Sequence, residues 1–322
     1  MKIKINKFLS LGIIATAAFL SSCERGEEWT SSDGKGDVII KMLNAGEKVL
    51  AFDALSNPQT ALLVDIRKDA PSEAALNAPT TVQVSFDQAY LDAYNDENGT
   101  AYELLPSDLY TTDIPAGPTG FTINMAAGQF AAPINFTLTD ATKLDFSKQY
   151  AFPLTISSVD GNGKISESKT AFVKVLVKNE WDGAYEVTGT MKDEGAALGG
   201  LFPMNYHLIT SGANTVDGYD PDYWVDYFIP IMSGADVSGY GGYSPVFEFD
   251  PATNKIVKVT NIYGQPASNT RSAGLDPSGE NSYDPDTQTI KVKFFMYQPS
   301  VITTAPHIRV YFDWTLKRTG DR

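Results

Sequence analysis

Between Tyr219 and Tyr243 the chain carries Tyr219, Tyr223, Trp224, Tyr227, Phe228, Tyr240 and Tyr243, interleaved with Asp, Gly and Pro. A strand interior alternates; this stretch does not. Such a mixture suits one kind of chemistry, in which an aromatic face packs on the apolar C–H face of a sugar while nearby carboxylates and amides take its hydroxyls. Trp224, Tyr223, Tyr227, Tyr219, Tyr240 and Tyr243 are therefore the glycan-binding candidates. The competing reading is that these rings fill a core or plug the end of a barrel. The aspartates nearby offer a second chemistry. "GYDPDYWVDY" supplies Asp220, Asp222 and Asp226, and "YDPDT" supplies Asp284 and Asp286, oxygen ligands of the hard kind calcium takes. The spacing lacks the glycine and glutamate of an EF-hand loop, and Asp-Pro pairs are ordinary turn formers, so turns without a metal are expected.

Catalytic chemistry is harder to find. No HExxH, GxSxG or phosphate-binding glycine loop occurs. The two histidines, His207 and His307, each sit in a strand-like run beside aliphatic residues, which favours ordinary packed or surface histidines over a metal pair. A glycosidase needs two carboxyls about 5 to 10 Å apart across a cleft. With 39 acidic residues some pair meets that distance by chance, so sequence nominates none. The expectation is no catalytic residue and no cofactor.

The single cysteine, Cys23, stands directly behind an apolar run. Lys2, Lys4 and Lys7 are followed by thirteen uncharged residues from Phe8 to Leu20, too short for a bilayer span of roughly 20. A basic opening and an apolar run read as an export leader. Leu20-Ser21-Ser22-Cys23 resembles the lipobox of bacterial lipoproteins, which implies cleavage before Cys23 and acylation of its thiol. Several acyl chains anchor stably where one does not, at about 0.8 kcal/mol per buried methylene. The predicted partner of Cys23 is thus outer-membrane lipid, and no thiol remains for a disulfide or a cysteine zinc site. Glu24, Glu27 and Glu28 behind it resemble the surface-export signal of Bacteroidetes lipoproteins, which implies the cell exterior.

Removing three lysines with the leader takes the formal charge from −14 to −17. Nucleic acid, which needs a basic footprint, is excluded as a partner, and an anionic lipid face is disfavoured. Residues 23–37 are polar and contain glycine without apolar periodicity, a flexible tether.

Beyond the tether the period is two. "TVQVSFD" sets Val82, Val84 and Phe86 against Gln83, Ser85 and Asp87, and "PINFTLTD" does the same with Ile134, Phe136 and Leu138. "QYAFPLTISSVDGNGKISESKTAFVKVLVKN" predicts a hairpin turning at Asp160–Gly163, with Val173, Val175 and Val177 on the closing strand. Tyr90, Leu91 and Tyr94 predict a short helix that ends at Asn98-Gly99. Further on, Ile290, Val292, Phe294 and Met296 alternate with Lys291 and Lys293. Ile308, Val310, Phe312 and Trp314 alternate with Arg309 and Asp313, and a hairpin should turn at Pro251–Asn254.

"AYNDENGTAYELLPSDLYTT", the "IPAG" turn, "QYAFPLTISSVDGNG" and the closing valine strand together resemble the N-terminal immunoglobulin-like domain of Bacteroidetes surface lipoproteins of unknown function and of some glycosidases from the same glycan-utilisation loci. "YHLITSGANTV", "YSPVFEFD", "NIYGQPASNTRSAGLDPSG" and "TIKVKFFMYQPSVITTAPHIRVYFDWTLKR" resemble the β-rich domain that follows it in a two-domain lipoprotein family. The expected fold is all-β: a leader over 1–22, a lipidated tether over 23–37, an immunoglobulin-like sandwich over 38–178, and a second antiparallel sandwich or partly closed barrel over 179–322. Together with the aromatic stretch, the resemblance implies an outer-membrane, surface-facing lipoprotein of a polysaccharide-utilisation system that binds glycan without cleaving it, with an outer-membrane glycan importer as a further candidate partner. The alternatives are a structural or adhesive surface protein and a glycoside hydrolase.

Overall fold

A computed structural model describes residues 36–161 and 163–322; Cys23, the leader and nearly all of the tether lie outside them. Two hydrophobic cores organise the chain, one built from residues between Ile40 and Val175 and the other from residues between Trp181 and Leu316. No helix among the described residues is long and apolar enough to cross a membrane.

The first core lies between two sheets. Val38–Met42, Gln59–Asp69, Ala131–Leu138, Tyr110–Thr112 and Gly163–Ile165 form one; Gly46–Asp53, Thr80–Phe86, Gly120–Met125, Gln149–Val159 and Thr170–Lys178 form the body of the other. The alternation read from the sequence faces inward as expected: Val82, Val84, Ile134, Phe136 and Leu138 are all buried. The predicted hairpin exists, with Thr155 opposite Thr170 and Tyr150 opposite Val175. Its connection is longer than a turn, because Gly163–Ile165 crosses to pair in parallel with Val38–Ile40 of the opposite sheet. The helix Gln88–Asn98 is capped by the Asp87 carboxylate, which accepts from Tyr90 N, and ends on Gly99 at φ +62°. It lays Leu91, Tyr90 and Tyr94 on Phe172 and Ala151.

The second core fills a barrel. Gly183–Asp193, Met204–Thr210, Thr215–Tyr219, Pro245–Asp250, Lys255–Asn261, Ser282–Asp284, Thr289–Tyr297 and Ile308–Gly320 pair in chain order, each antiparallel to the next, and the last pairs with the first. This is an up-and-down barrel, so of the two expected forms, sandwich and partly closed barrel, it is the barrel, and its ring of strands is complete. Its weakest seam joins Lys255–Asn261 to Ser282–Asp284, where the ladder is the single pair Lys255 and Ser282. Asn281 completes that seam: its carbonyl accepts from Ile256 N, its Oδ1 from Lys293 N, and its Nδ2 donates to Asp276 O.

Inward positions run Tyr185, Val187 on one strand and Ile290, Val292, Phe294, Met296 on another, facing Val310, Phe312, Trp314 and Leu316. Rings dominate: Phe294 lies 4.5 Å from Phe312 in a stack and 5.0 Å from Trp314 edge to face. Arg309 departs from the predicted pattern. Its alternation with Val310 places it outward, yet it is buried, because the register shifts beside Met296 and Tyr297 and brings it to the barrel mouth.

The two mouths differ. Towards the sandwich, strands are joined by turns at residues 211–214, 251–254 and 285–288, and Trp181 stacks on Phe249 at 4.2 Å. At the other mouth the connections are long, 194–203, 220–244, 262–271 and 298–307. There a small sheet of Leu198–Gly200, Pro230–Ser233 and Asp236–Gly239 lays Ile231 onto the core.

Candidate functional site

The long connection after Tyr219 begins with a fixed hairpin. Asp220 is fully buried, its N–H donates to Asp226 O at 2.9 Å, and its carboxylate accepts from the backbone N–H groups of Asp222, Tyr223 and Trp224 at 3.2, 3.1 and 2.7 Å. A buried carboxylate needs such donors, and here the backbone supplies them by turning sharply. Val225 takes a left-handed φ of +52° to complete the turn. Asn205 Nδ2 donates to the Asp222 carboxylate at 2.8 Å and ties the hairpin to the barrel wall. The tip therefore holds Tyr223, Trp224 and Val225 outward, 51%, 40% and 63% exposed.

From this tip a run of rings continues. Tyr223 and Trp224 centroids are 6.1 Å apart, Trp224 and Phe228 6.4 Å, and Phe228 stacks on Tyr263 at 6.2 Å. Tyr263, 43% exposed, comes from the 262–271 connection. The indole of Trp224 rests on Gly239, where an added Cβ would sit 3.4 Å from the ring. Phe228 and Tyr263 were not among the candidates read from the sequence; for Tyr263 the available signal was an aromatic beside Gly264, just beyond the last alternating residue.

The six candidates do not form one cluster. Tyr223 and Trp224 belong to the exposed run. Tyr219 and Tyr227 pair edge to face at 5.3 Å on another side, where Tyr227 lines a groove of about 420 Å³ with Tyr102, Lys174 and Arg322. Tyr240 and Tyr243 are 2% and 0% exposed, so neither can stack on a sugar. The Gly241-Gly242 turn, with Gly242 at φ +65°, sends the chain back to the barrel. Tyr243 stacks on Phe312 at 6.2 Å. The core-filling reading is correct for these two.

Tyr240 instead joins a polar network at the long-loop mouth, which no sequence motif announced. Its hydroxyl donates to Asp193 Oδ2. Arg309 grips the same carboxylate through Nη2 at 3.1 Å and Nε at 3.3 Å, and donates to Gln298 Oε1 at 2.6 Å. Gly195 N and Ala196 N also donate to Asp193. Arg271 lies 5.3 Å and Arg309 5.4 Å from the Tyr240 ring centre. Burial, and then the hydrogen bond to Asp193, raise the Tyr240 phenol far above its ordinary value. Burial and the neighbouring Arg309 charge lower Arg271.

Three of the five aspartates weighed for calcium hold turns. Asp220 is saturated by backbone donors, Asp226 Oδ1 accepts from Tyr227 N at 2.7 Å, and Asp284 caps Asp286 N and Thr287 Oγ1 at 3.0 and 2.8 Å. Among the described residues no group of three His, Cys, Asp or Glu is placed to hold a metal. His207 stacks on Tyr219 at 6.3 Å, and His307 Nδ1 faces Ile302 O at 2.9 Å.

A family model described as an N-terminal domain matches residues 35–163. The structure is similar over nearly its whole length to a protein of unknown function from Bacteroides ovatus, with 13% identity, 88% of this chain and 96% of that one covered, and a TM-score of 0.56. The likeness is one of fold, shared by both β-rich halves of the chain with that Bacteroides ovatus protein. Also similar are a multidomain protein from Bacteroides ovatus, at 12% identity, 88% and 93% coverage and TM-score 0.49, and an auxiliary nutrient binding protein from Bacteroides thetaiotaomicron, at 14%, 83% and 89%, and 0.40. No curated protein matches the chain.

Proposed function

We propose that the protein is a lipid-anchored surface protein that binds an oligosaccharide without cleaving it, through Trp224 and Tyr223 with Phe228 and Tyr263. The observation that carries this reading is the pair of exposed rings, Tyr223 and Trp224, on a hairpin held by the buried Asp220 carboxylate, continued by half-buried Phe228 and exposed Tyr263. Water-exposed rings of this size are placed at a free-energy cost that burial would remove, and a sugar's C–H face removes it while leaving its hydroxyls solvated. A hairpin fixed before the ligand arrives loses little entropy on binding. Location supports the reading as well: acylation at Cys23 fixes the start of the chain to the membrane, and the rings lie in the other unit, beyond the sandwich.

Affinity should be modest, with Kd around 10 µM to 1 mM, equivalent to about 4 to 7 kcal/mol. Calorimetry of the lipid-free body against a panel of oligosaccharides tests this, with wild type beside Trp224→Ala. Loss of one stacking face at about 0.5 to 1.5 kcal/mol weakens binding by roughly two- to thirteen-fold. Equal affinity in two equally stable proteins would reject the site. No heat with any glycan would favour the adhesive reading, and released reducing sugar would make the protein a hydrolase.

A further inference from the structure

We infer that the glycan recognised at this site is acidic, and that Arg271 holds its carboxylate or sulfate. The inference rests on the aromatic run being a glycan site. Four observations lead to it. Two guanidiniums, Arg271 and Arg309, flank the Tyr240 ring, and Arg309 takes the Asp193 carboxylate beside it in a two-point contact. Arg271 makes no ion pair within 4.0 Å among the described residues. It is held instead by neutral acceptors: Nη1 donates to Gly241 O and Nε to Gln298 Oε1 at 3.3 Å, which leaves Nη2 without a partner among the described residues. A guanidinium fixed at two of its nitrogens, half-buried and open at the third, is pre-shaped for an anion.

Position links this cation to the rings. Arg271 and Phe228 meet at Gly241: the guanidinium bonds its carbonyl, and a Cβ added there would lie 3.5 Å from Phe228 Cε1. Tyr263, stacked on Phe228, comes from the same connection as Arg271. A sugar on Phe228 and Tyr263 therefore has the guanidinium beside it. Asn269 stiffens the spot, its Nδ2 donating to Gly241 O at 3.1 Å and its Oδ1 accepting from Arg271 N at 3.0 Å. The molecule's overall acidity does not oppose this. Distributed surface charge is screened over about 8 Å at physiological salt, whereas a guanidinium at contact distance is not.

The probes are oligogalacturonate, its fully methyl-esterified form, and a sulfated glycosaminoglycan oligosaccharide, measured by calorimetry at two salt concentrations. An acidic probe should bind about tenfold or more tightly than the methyl ester, with an affinity that falls as salt rises. The preferred probe tells carboxylate from sulfate. Arg271→Gln should weaken the acidic probe by about 10- to 100-fold and leave the ester within about twofold, while Arg271→Lys restores part of the loss. Should Arg271→Gln fold poorly, the comparison of acid and ester on the wild-type protein still decides. Equal binding of acid and ester overturns the inference and leaves the glycan site intact. Binding of neutral glycans alone, dependent on Trp224, does the same, and no binding of any glycan overturns both.

Discussion

The barrel's two mouths solve one problem in opposite ways. Both must be stopped, since the interior is packed with rings that water would otherwise reach. At the sandwich side the stopper is apolar: Trp181, 1% exposed, stacks on Phe249, and Tyr185 Oη donates to Trp181 O at 2.8 Å. At the long-loop side the inward parity of the strands ends in Asp193 and Gln298, and these are neutralised and satisfied by Arg309, Tyr240 and Arg271. The contrast teaches where function can sit. Short turns leave no backbone to spare, whereas the long connections at the other mouth carry the lid sheet, the ring-bearing hairpin and Arg271.

Two substitutions should have the largest effects and separate the mouths. Trp181→Ala removes the apolar stopper and should destabilise the barrel by about 3 to 5 kcal/mol, read by urea unfolding with circular dichroism. A loss below about 1 kcal/mol would show that the mouth closes without it. Arg309→Met leaves Asp193 buried without its counter-charge and should cost a similar amount. The double variant Asp193→Leu with Arg309→Met should recover much of that loss, because the uncompensated charge goes too; additive losses in the double variant would mean that shape, not charge, closes the second mouth.

A smaller effect belongs to the junction side and depends on pH. Burial alone would raise Asp182, but the Arg322 guanidinium at 2.9 Å and the Thr210 N–H and hydroxyl outweigh it and hold the carboxyl below its ordinary value. A depressed folded pKa contributes stability above the unfolded value of about 3.9 that is lost as pH falls through the lower folded value. The acid limb of a stability profile should therefore be shallower in Asp182→Asn than in wild type below about pH 4. Parallel limbs would remove Asp182 from the account. The smallest change in stability is expected where the functional effect is sharpest: Trp224→Ala, at an exposed tip, should stay within about 0.5 kcal/mol of wild type while glycan affinity falls.

Much of the fold was legible because period-two alternation is a local property. Val82 and Val84, Ile134 to Leu138, and Ile290 to Met296 face inward as their spacing requires, and Asp87 and Gly99 cap the helix that Tyr90, Leu91 and Tyr94 announce. The site was legible only in part. Trp224 and Tyr223 are outward, but Tyr240 and Tyr243, aromatic like them and in the same connection, are in the core.

Composition and alternation thus determined that the chain is all-β and that an irregular aromatic stretch interrupts its second half. Whether the second half closed was not written in any segment, since closure depends on the last strand, Ile308–Gly320, meeting the first, Gly183–Asp193, across more than a hundred residues. Tertiary structure also chose which rings meet water. A buried Asp220 turns Tyr223 and Trp224 outward, and a Gly-Gly turn returns Tyr243 to Phe312. The pairing of Asp193 with Arg309 rather than Arg271 likewise joins residues 116 positions apart. Side-chain spacing fixes the face of a strand; only packing between distant segments fixes what covers that face.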